Sequence, residues 1–421
     1  MNSVKKQFLY RLLLYIFLCG ALLAAGITYI HFLNRKIPEH IYINENQKVV
    51  LSMNIPATGK IQPVTKETSA EASVIEADLR RPVTFVAGST GHYTLQINLF
   101  GFISYGKVNV DVVDEKYVYA GGFQIGMYLH TDGVYVVNTE NIKNENGDIF
   151  SPWENHVAKG DYIVSADGAE INDKEDLALA VQSSKGSPIK LIVRRNGQFM
   201  EETIQPVIGN DNLYKIGLWV KDDAQGIGTI TYVDENNHFA ALGHGISDGS
   251  TGSIMEINEG RVYRTHVMSI VKGQNGTPGE LIGAIEYKQY NKIGTIQENK
   301  PNGICGTLTE NVKQEKKLEQ MRVGYSYQIH EGNACVRFYY KGNYKDYPIS
   351  IESISNGQEK NITFKVTSDE LLELTNGIVQ GMSGCPIIQD GNIVGAVTHV
   401  FVDDSTKGYG IFIESMLNKN N

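Results

Sequence analysis

Ser383 lies in the run Gly381-Met382-Ser383-Gly384-Cys385-Pro386, and a serine this close to two glycines has two readings. The glycines allow a sharp bend, which either presents a hydroxyl for nucleophilic attack or simply turns the chain. Attack requires a base, because a serine hydroxyl is a weak nucleophile until its proton is removed. The C-terminal half supplies His238, His244, His266, His330 and His399. His244 stands out, since an apolar run there ends in Gly243-His244-Gly245 and the glycines can expose an imidazole at a strand end. Cys19, Cys305, Cys335 and Cys385 are far apart and lack C-x-x-C spacing, which argues against a zinc site. They read instead as small packed side chains, Cys385 included. Serine acyl chemistry requires neither a metal nor an organic cofactor.

The elements that must position these groups follow from composition and patterning. A chain of 421 residues, 42% hydrophobic and 20% charged, is long enough for two or three packed domains. A net charge of −9 without a long basic run argues against nucleic acid as a partner. The 43 glycines and 23 tyrosines favour strands and turns over long helices. Leu12 to Leu33 contains no Asp, Glu, Lys or Arg and would reach roughly 33 Å as a helix, enough to cross a bilayer. Lys5, Lys6 and Arg11 precede it, so the expectation is an uncleaved single-pass anchor with the bulk of the chain extracytoplasmic. The small residues of Ala21-Leu22-Leu23-Ala24 leave a cleaved signal peptide as the competing reading.

Residues 37–115 show period-two apolar patterning and read as a small β-rich spacer domain. Residues 116–208 give a strand, a turn and a second strand. A helix opened by Asp173 and a hairpin around Asn196-Gly197 follow. With "GDYIVSADGAEI" at its centre, this stretch resembles a bacterial PDZ domain. The resemblance implies that a peptide adds as an extra strand, facing Gln124, Ile125, Gly126 and Met127. From residue 209 to 421, short strands alternate with glycine turns, and a helix capped by Thr367 or Ser368 precedes the serine.

"GMSGCP" resembles the serine loop of chymotrypsin-like proteases, with histidine before serine in the chain. That implies a double β-barrel in which the N–H groups of Gly381 and Ser383 stabilise the oxyanion. The strand "GNIVGAVTHV" would lie beside extended substrate. The anchor, the spacer, the PDZ-like segment, "GIGTITYV", "ALGHGISD", "NGIVQGMSGCPIIQDGNIVGAVTHVF" and "GYGIFIE" together resemble the stage IV sporulation protein B family. These are signalling serine peptidases of endospore-forming bacteria. The resemblance implies Ser383 as nucleophile and His244 as general base. The family's third member, an aspartate, falls on Ser368 here, so the role passes to the adjacent Asp369 or is unfilled; Asp248 is a weaker candidate. The family's biology implies export to the space between the forespore membranes and self-cleavage. It also implies limited proteolysis of a membrane regulatory protein, leading to late sigma-factor activation. The expected self-cleavage segment is 62–73. A catalytically weakened PDZ scaffold and a general degradative protease are the alternatives.

Overall fold

The computed structural model describes residues 2–64, 75–274, 276–309, 311–356 and 360–417. Most of the expected self-cleavage segment, residues 65–73, lies outside them. The chain divides into two compact units and is mainly β, as expected.

The first unit comprises Met1–Lys116, Gly324–Glu331 and Ser353–Ile362. It begins with helix α1 (Asn2–Lys36), within which Phe8–Asn34 has a mean hydropathy of 2.2 and is long and apolar enough to cross a membrane. Leu9, Leu13, Ile16 and Phe17 all face outward, so this helix has no polar face to offer water. Its end is different: Leu33 is fully buried among Ile41, Ile43, Leu95, Ile97, Val108 and Val110. Those residues come from a five-stranded sheet. In it β1 (His40–Asn44) runs parallel to β3 (Ile103–Val113), which is antiparallel to β2 (Gly91–Leu99). Alternate side chains in the second half of β3 are buried, as period-two patterning requires.

The second unit comprises Tyr117–Val323, Gly332–Glu352 and Thr363–Asn421. Most of its strands form one closed hydrogen-bonded sheet. Two long strands dominate it: β4 (Gln124–Thr139) and β5 (Leu218–Val233) pair antiparallel from Gln124↔Thr229 to Thr139↔Leu218. β6 (Ile257–Val271) takes the other edge of β4. Phe123, Ile125, Met127, Leu129, Ile230, Phe239, Val262 and Ile296 form the main core. The far ends of β4 and β5 enter a smaller core, where Val134 and Val136 pack with Leu177, Val181, Leu191 and Val193. Helix α2 (Lys174–Ser183) belongs to this smaller core and opens as expected, with the Asp173 carboxylate accepting the Asp176 N–H at 2.8 Å. Asn196 and Gly197 make the expected hairpin turn with φ of 50° and 76°.

Residues 116–208 therefore do not form a self-contained body. Their first strands, Tyr117–Ala120 and the start of β4, are strands of the main sheet, and the smaller core also draws in Ile216. The expected peptide-facing segment is displaced for the same reason. Gln124, Ile125, Gly126 and Met127 pair with Thr229, Gly228, Ile227 and Gly226 of β5 on one side. On the other side Ile125, Gly126 and Met127 pair with Arg264, Tyr263 and Val262 of β6. Both edges are occupied and Ile125 is fully buried, so no peptide strand can add there. Period-two patterning marks a strand but does not say which strands will flank it.

Candidate active site

Three elements surround Ser383: helix α3 (Asp369–Thr375), β7 (Pro386–Gln389) and β8 (Asn392–Val400), the last paired with β9 (Lys407–Phe412). The serine turn lies between α3 and β7, and its peptide planes are individually fixed. The Gln380 carbonyl accepts the Leu281 N–H at 2.9 Å, and the Met382 carbonyl accepts the Cys385 N–H at 2.9 Å. In a trans peptide the C=O and the next N–H point opposite ways, so these bonds aim the N–H groups of Gly381 and Ser383 away from those donors. Neither N–H meets an acceptor among the described residues. That is the arrangement an oxyanion hole needs. Gly384 has φ of 96°, and a Cβ there would stand 2.0 Å from the Thr229 carbonyl, so only glycine fits.

His244 follows two successive left-handed residues, Leu242 at φ 71° and Gly243 at φ 72°. A buried leucine in that region is strained. It is accommodated because Gly228 leaves room: a Cβ on Gly228 would lie 2.2 Å from the Leu242 side chain. The His244 Nδ1 lies 3.0 Å from the Gly245 carbonyl. A carbonyl only accepts, so Nδ1 carries a proton, and in the neutral ring Nε2 is then the basic nitrogen. The His244 and His399 ring centroids are 4.8 Å apart, the planes tilted by 35°. Ser383 Oγ donates to the carbonyl of Thr398, the residue beside His399, at 2.7 Å. Both candidate groups thus converge on the same stretch of β8.

Thr229 joins the two loops. Its N–H donates to the Ser383 carbonyl at 3.1 Å and its hydroxyl to the Gly381 carbonyl at 2.7 Å. Its own carbonyl accepts the Leu242 N–H at 3.2 Å, which ties down the histidine loop. Two residues on, the Thr231 hydroxyl holds the Gly384 carbonyl at 2.8 Å. Both threonines are fully buried. The sequence pattern marks the strand but not this role of its threonines. The available signal was two alternate threonines on an otherwise apolar strand, each requiring a buried partner.

Residues 212–417 match the family described as SpoIVB peptidase S55. This part of the chain belongs to that family. The S55 domain is a serine peptidase domain. A Clostridium perfringens protein named as a putative zinc metalloprotease is 26% identical over 62 residues, 15% of this chain and 18% of that relative's length. The chain thus spans about a fifth of that curated relative. Among solved structures, the active form of the Rv3671c protease from M. tuberculosis is similar with a TM-score of 0.27 and 15% identity. The match covers 46% of this chain and 71% of that one. The HtrA-type protease AlgW with a decapeptide has a TM-score of 0.27 and 13% identity, covering 46% of this chain and 50% of its own.

The expected third member of the site lies elsewhere in the S55 domain. Asp369 is exposed in the first turn of α3, where Ser368 caps the helix by accepting the Leu371 N–H at 3.2 Å. Among the described residues no hydrogen bond or ion pair joins Asp369 to His244. The carboxylate serves the helix N-terminus, and the Gly245 carbonyl occupies His244 Nδ1 instead. Asp248 is buried but committed to Lys221 at 2.9 Å and to the N–H groups of Ser250 and Thr251. Burial alone would raise its carboxyl, yet Lys221 and those N–H donors hold it below its ordinary value. Cys385 is fully buried, which pushes its thiol up to about 12 and leaves it inert. Among the described residues no cluster of three or more metal-ligating side chains occurs.

Beside α2 lies a groove of about 500 Å³, lined by Leu177, Ala178 and Val181 of the helix and by Ile216, Leu218 and Val220 opposite. Leu218–Lys221 of β5 pair only with β4, so among the described strands their other edge is open. This groove combines a helix and a free strand edge, the two features missing at Gln124–Met127.

Proposed function

We propose that this chain is a membrane-anchored signalling endopeptidase. In this reading Ser383 attacks the scissile carbonyl while His244 Nε2 removes its proton. The imidazole is oriented by the Gly245 carbonyl rather than by a carboxylate, which makes the centre a dyad. The N–H groups of Gly381 and Ser383 receive the developing oxyanion. The observation that carries this reading is the Thr229 clamp, which fixes the serine turn and the histidine loop to one strand.

The Ser383 hydroxyl rests on the Thr398 carbonyl. A substrate pairing as a strand with Thr398–Val400 offers an N–H to that carbonyl, competes with the hydroxyl and releases it toward His244. Substrate binding is then part of activation, as suits limited proteolysis. The PDZ-like role moves to the groove beside α2. There an extended segment of the substrate, or of another copy of the chain, pairs with Leu218–Lys221. The α1 helix crosses the membrane and holds the peptidase outside the cytoplasm, near a membrane regulatory protein whose cleavage carries the sporulation signal. Self-cleavage belongs to the segment 62–73.

The test maps the N-terminus of the purified full-length protein by mass spectrometry for wild type, Ser383→Ala, His244→Ala and the double variant. Removal of a nucleophile costs on the order of 10⁴–10⁶ in rate, and residues acting as a unit are non-additive. All three variants should stay unprocessed. Trimming by pure Ser383→Ala would refute the assignment.

A further inference from the structure

The hairpin joining β2 to β3 carries a feature that peptidase chemistry does not use. Its turn is Leu99-Phe100-Gly101-Phe102, closed by the Phe102 N–H donating to the Leu99 carbonyl at 3.2 Å. Both central residues are left-handed, Phe100 at φ 52° and Gly101 at φ 85°. That turn favours Asn, Asp or Gly at its first central position, and a bulky aromatic there is strained. Elsewhere the chain builds the same pair from Asp167-Gly168, Asn196-Gly197, Lys341-Gly342 and Asp390-Gly391. Here the strain accompanies exposure: Phe100, Phe102 and Ile103 are 57%, 79% and 46% exposed. No Asp, Glu, Lys or Arg occurs from Tyr93 to Gly106. An uncharged hairpin with two phenylalanines at its tip is poorly suited to water.

Topology shows where the tip lies. The chain leaves α1 at Lys36 and enters β1, and β3 runs parallel to β1 with His40 opposite Asn109. Going back along β3 from Asn109 to Ile103 covers roughly 20 Å toward the helix, at about 3.3 Å per residue. Tyr105 marks the level, since its hydroxyl bonds to the Asn34 side chain, at the end of the apolar span. Tyr29, more than a turn earlier in α1, packs on the same cluster as Tyr105. Burial, and then the nearby Tyr29 hydroxyl, raise the Tyr105 phenol above its ordinary value. The turn reaches several ångströms further in the same direction.

We propose that the Phe100–Ile103 tip inserts into the outer surface of the bilayer that α1 crosses, making a second membrane contact beside the anchor. This rests on α1 being a transmembrane helix. The occupant is lipid, because the tip lies alongside the apolar end of the span and has no charge to repel acyl chains. Insertion to the headgroup–acyl boundary, about 5–10 Å deep, matches the overlap with the Tyr29–Asn34 stretch. Two contacts restrain the tilt of the first unit, which one helix alone would leave free.

The test uses full-length protein in phosphatidylcholine–phosphatidylglycerol vesicles, with an environment-sensitive nitrobenzoxadiazole label. The label is placed on native Cys19, on Phe102→Cys or on Asn46→Cys, the last two in a Cys19→Ser, Cys335→Ser background. Lipids spin-labelled near the headgroup should quench position 102 at least twofold and leave 46 unchanged, while deeply labelled lipids should quench Cys19. Quenching at Cys19 without quenching at 102 overturns the hairpin proposal and leaves the anchor standing. A blue shift at 102 without lipid quenching means contact with protein and also overturns it. No quenching at Cys19 removes the anchor, and the proposal with it.

Discussion

Thr229→Val tests whether the clamp on β5 sets up the oxyanion donors. Valine keeps the shape and the backbone bonds to Ser383 and Leu242, and loses the hydroxyl bond to the Gly381 carbonyl at 2.7 Å together with the hydroxyl's contact to the buried Cys385 thiol. An acceptor left unsatisfied in a buried setting costs about 1–3 kcal/mol. The upper bound on the catalytic effect is loss of a whole oxyanion donor, about 10²–10³ in rate. Here the Gly381 N–H survives but its residue is less firmly held, so about tenfold is expected, equivalent to about 1.4 kcal/mol. Thr231→Val is the control. It frees the carbonyl of Gly384, a residue that supplies neither oxyanion donor, and should destabilise comparably with less than about threefold loss in rate. The assay is the second-order rate of fluorophosphonate labelling of Ser383, whose phosphoryl oxygen occupies the oxyanion position, alongside urea unfolding of each variant. Equal rate losses in the two variants, or a larger loss in Thr231→Val, would refute the reasoning.

Asp369→Asn should change the labelling rate by less than about threefold, because the exposed carboxylate makes no bond to His244 and its loss removes only a favourable charge at the helix N-terminus; a loss beyond about tenfold would return Asp369 to the site. Ile125→Asp should unfold the S55 domain rather than selectively block recognition, costing about 3–5 kcal/mol, as thermal melting will report. Ala178→Glu, in the groove beside α2, should slow self-processing while leaving fluorophosphonate labelling unchanged. Asp248→Asn should lower the melting temperature at neutral pH. The depressed carboxyl stabilises the fold above its ordinary value of 3.8, and that stabilisation is lost as pH falls through the lower folded value. The gap to wild type should therefore narrow as pH falls below 3.8, measured by melting across pH.

The serine turn, the histidine loop, α1, α2 and α3 were legible in the sequence because each depends on local chemistry. Glycines permit the bends, Asp173 and Ser368 cap helices, and an uncharged apolar run suits lipid. What was not legible depends on pairing between distant segments. Gln124–Met127 look like an available edge until β6, far along the chain, fills it. Asp369 looks like an orienting acid because it lies one residue from where the family has one, but Ser368 starts a helix and its neighbour projects into solvent. Alternation with Thr231 on an apolar strand marks Thr229 as needing a buried partner, but that its partners include Gly381 and Ser383, about 150 residues on, depends on pairing between distant segments.

The two long strands have a further consequence. Asp222 leaves the smaller core next to where Thr131 enters it, and the Thr131 hydroxyl bonds to the Asp222 carbonyl at 3.0 Å. Everything between them is, for the main sheet, one loop whose ends the folded smaller core helps the β4–β5 pairing to hold together. If that loop of about 90 residues became a random coil, closing it would cost about 4 kcal/mol of entropy, a penalty borne by the β4–β5 pairing that carries Thr229. A ligand that raises the melting point of the smaller core therefore shares its free energy with the peptidase, without any signal travelling along side chains. A destabilising substitution in the smaller core loosens the serine and histidine loops by the same route.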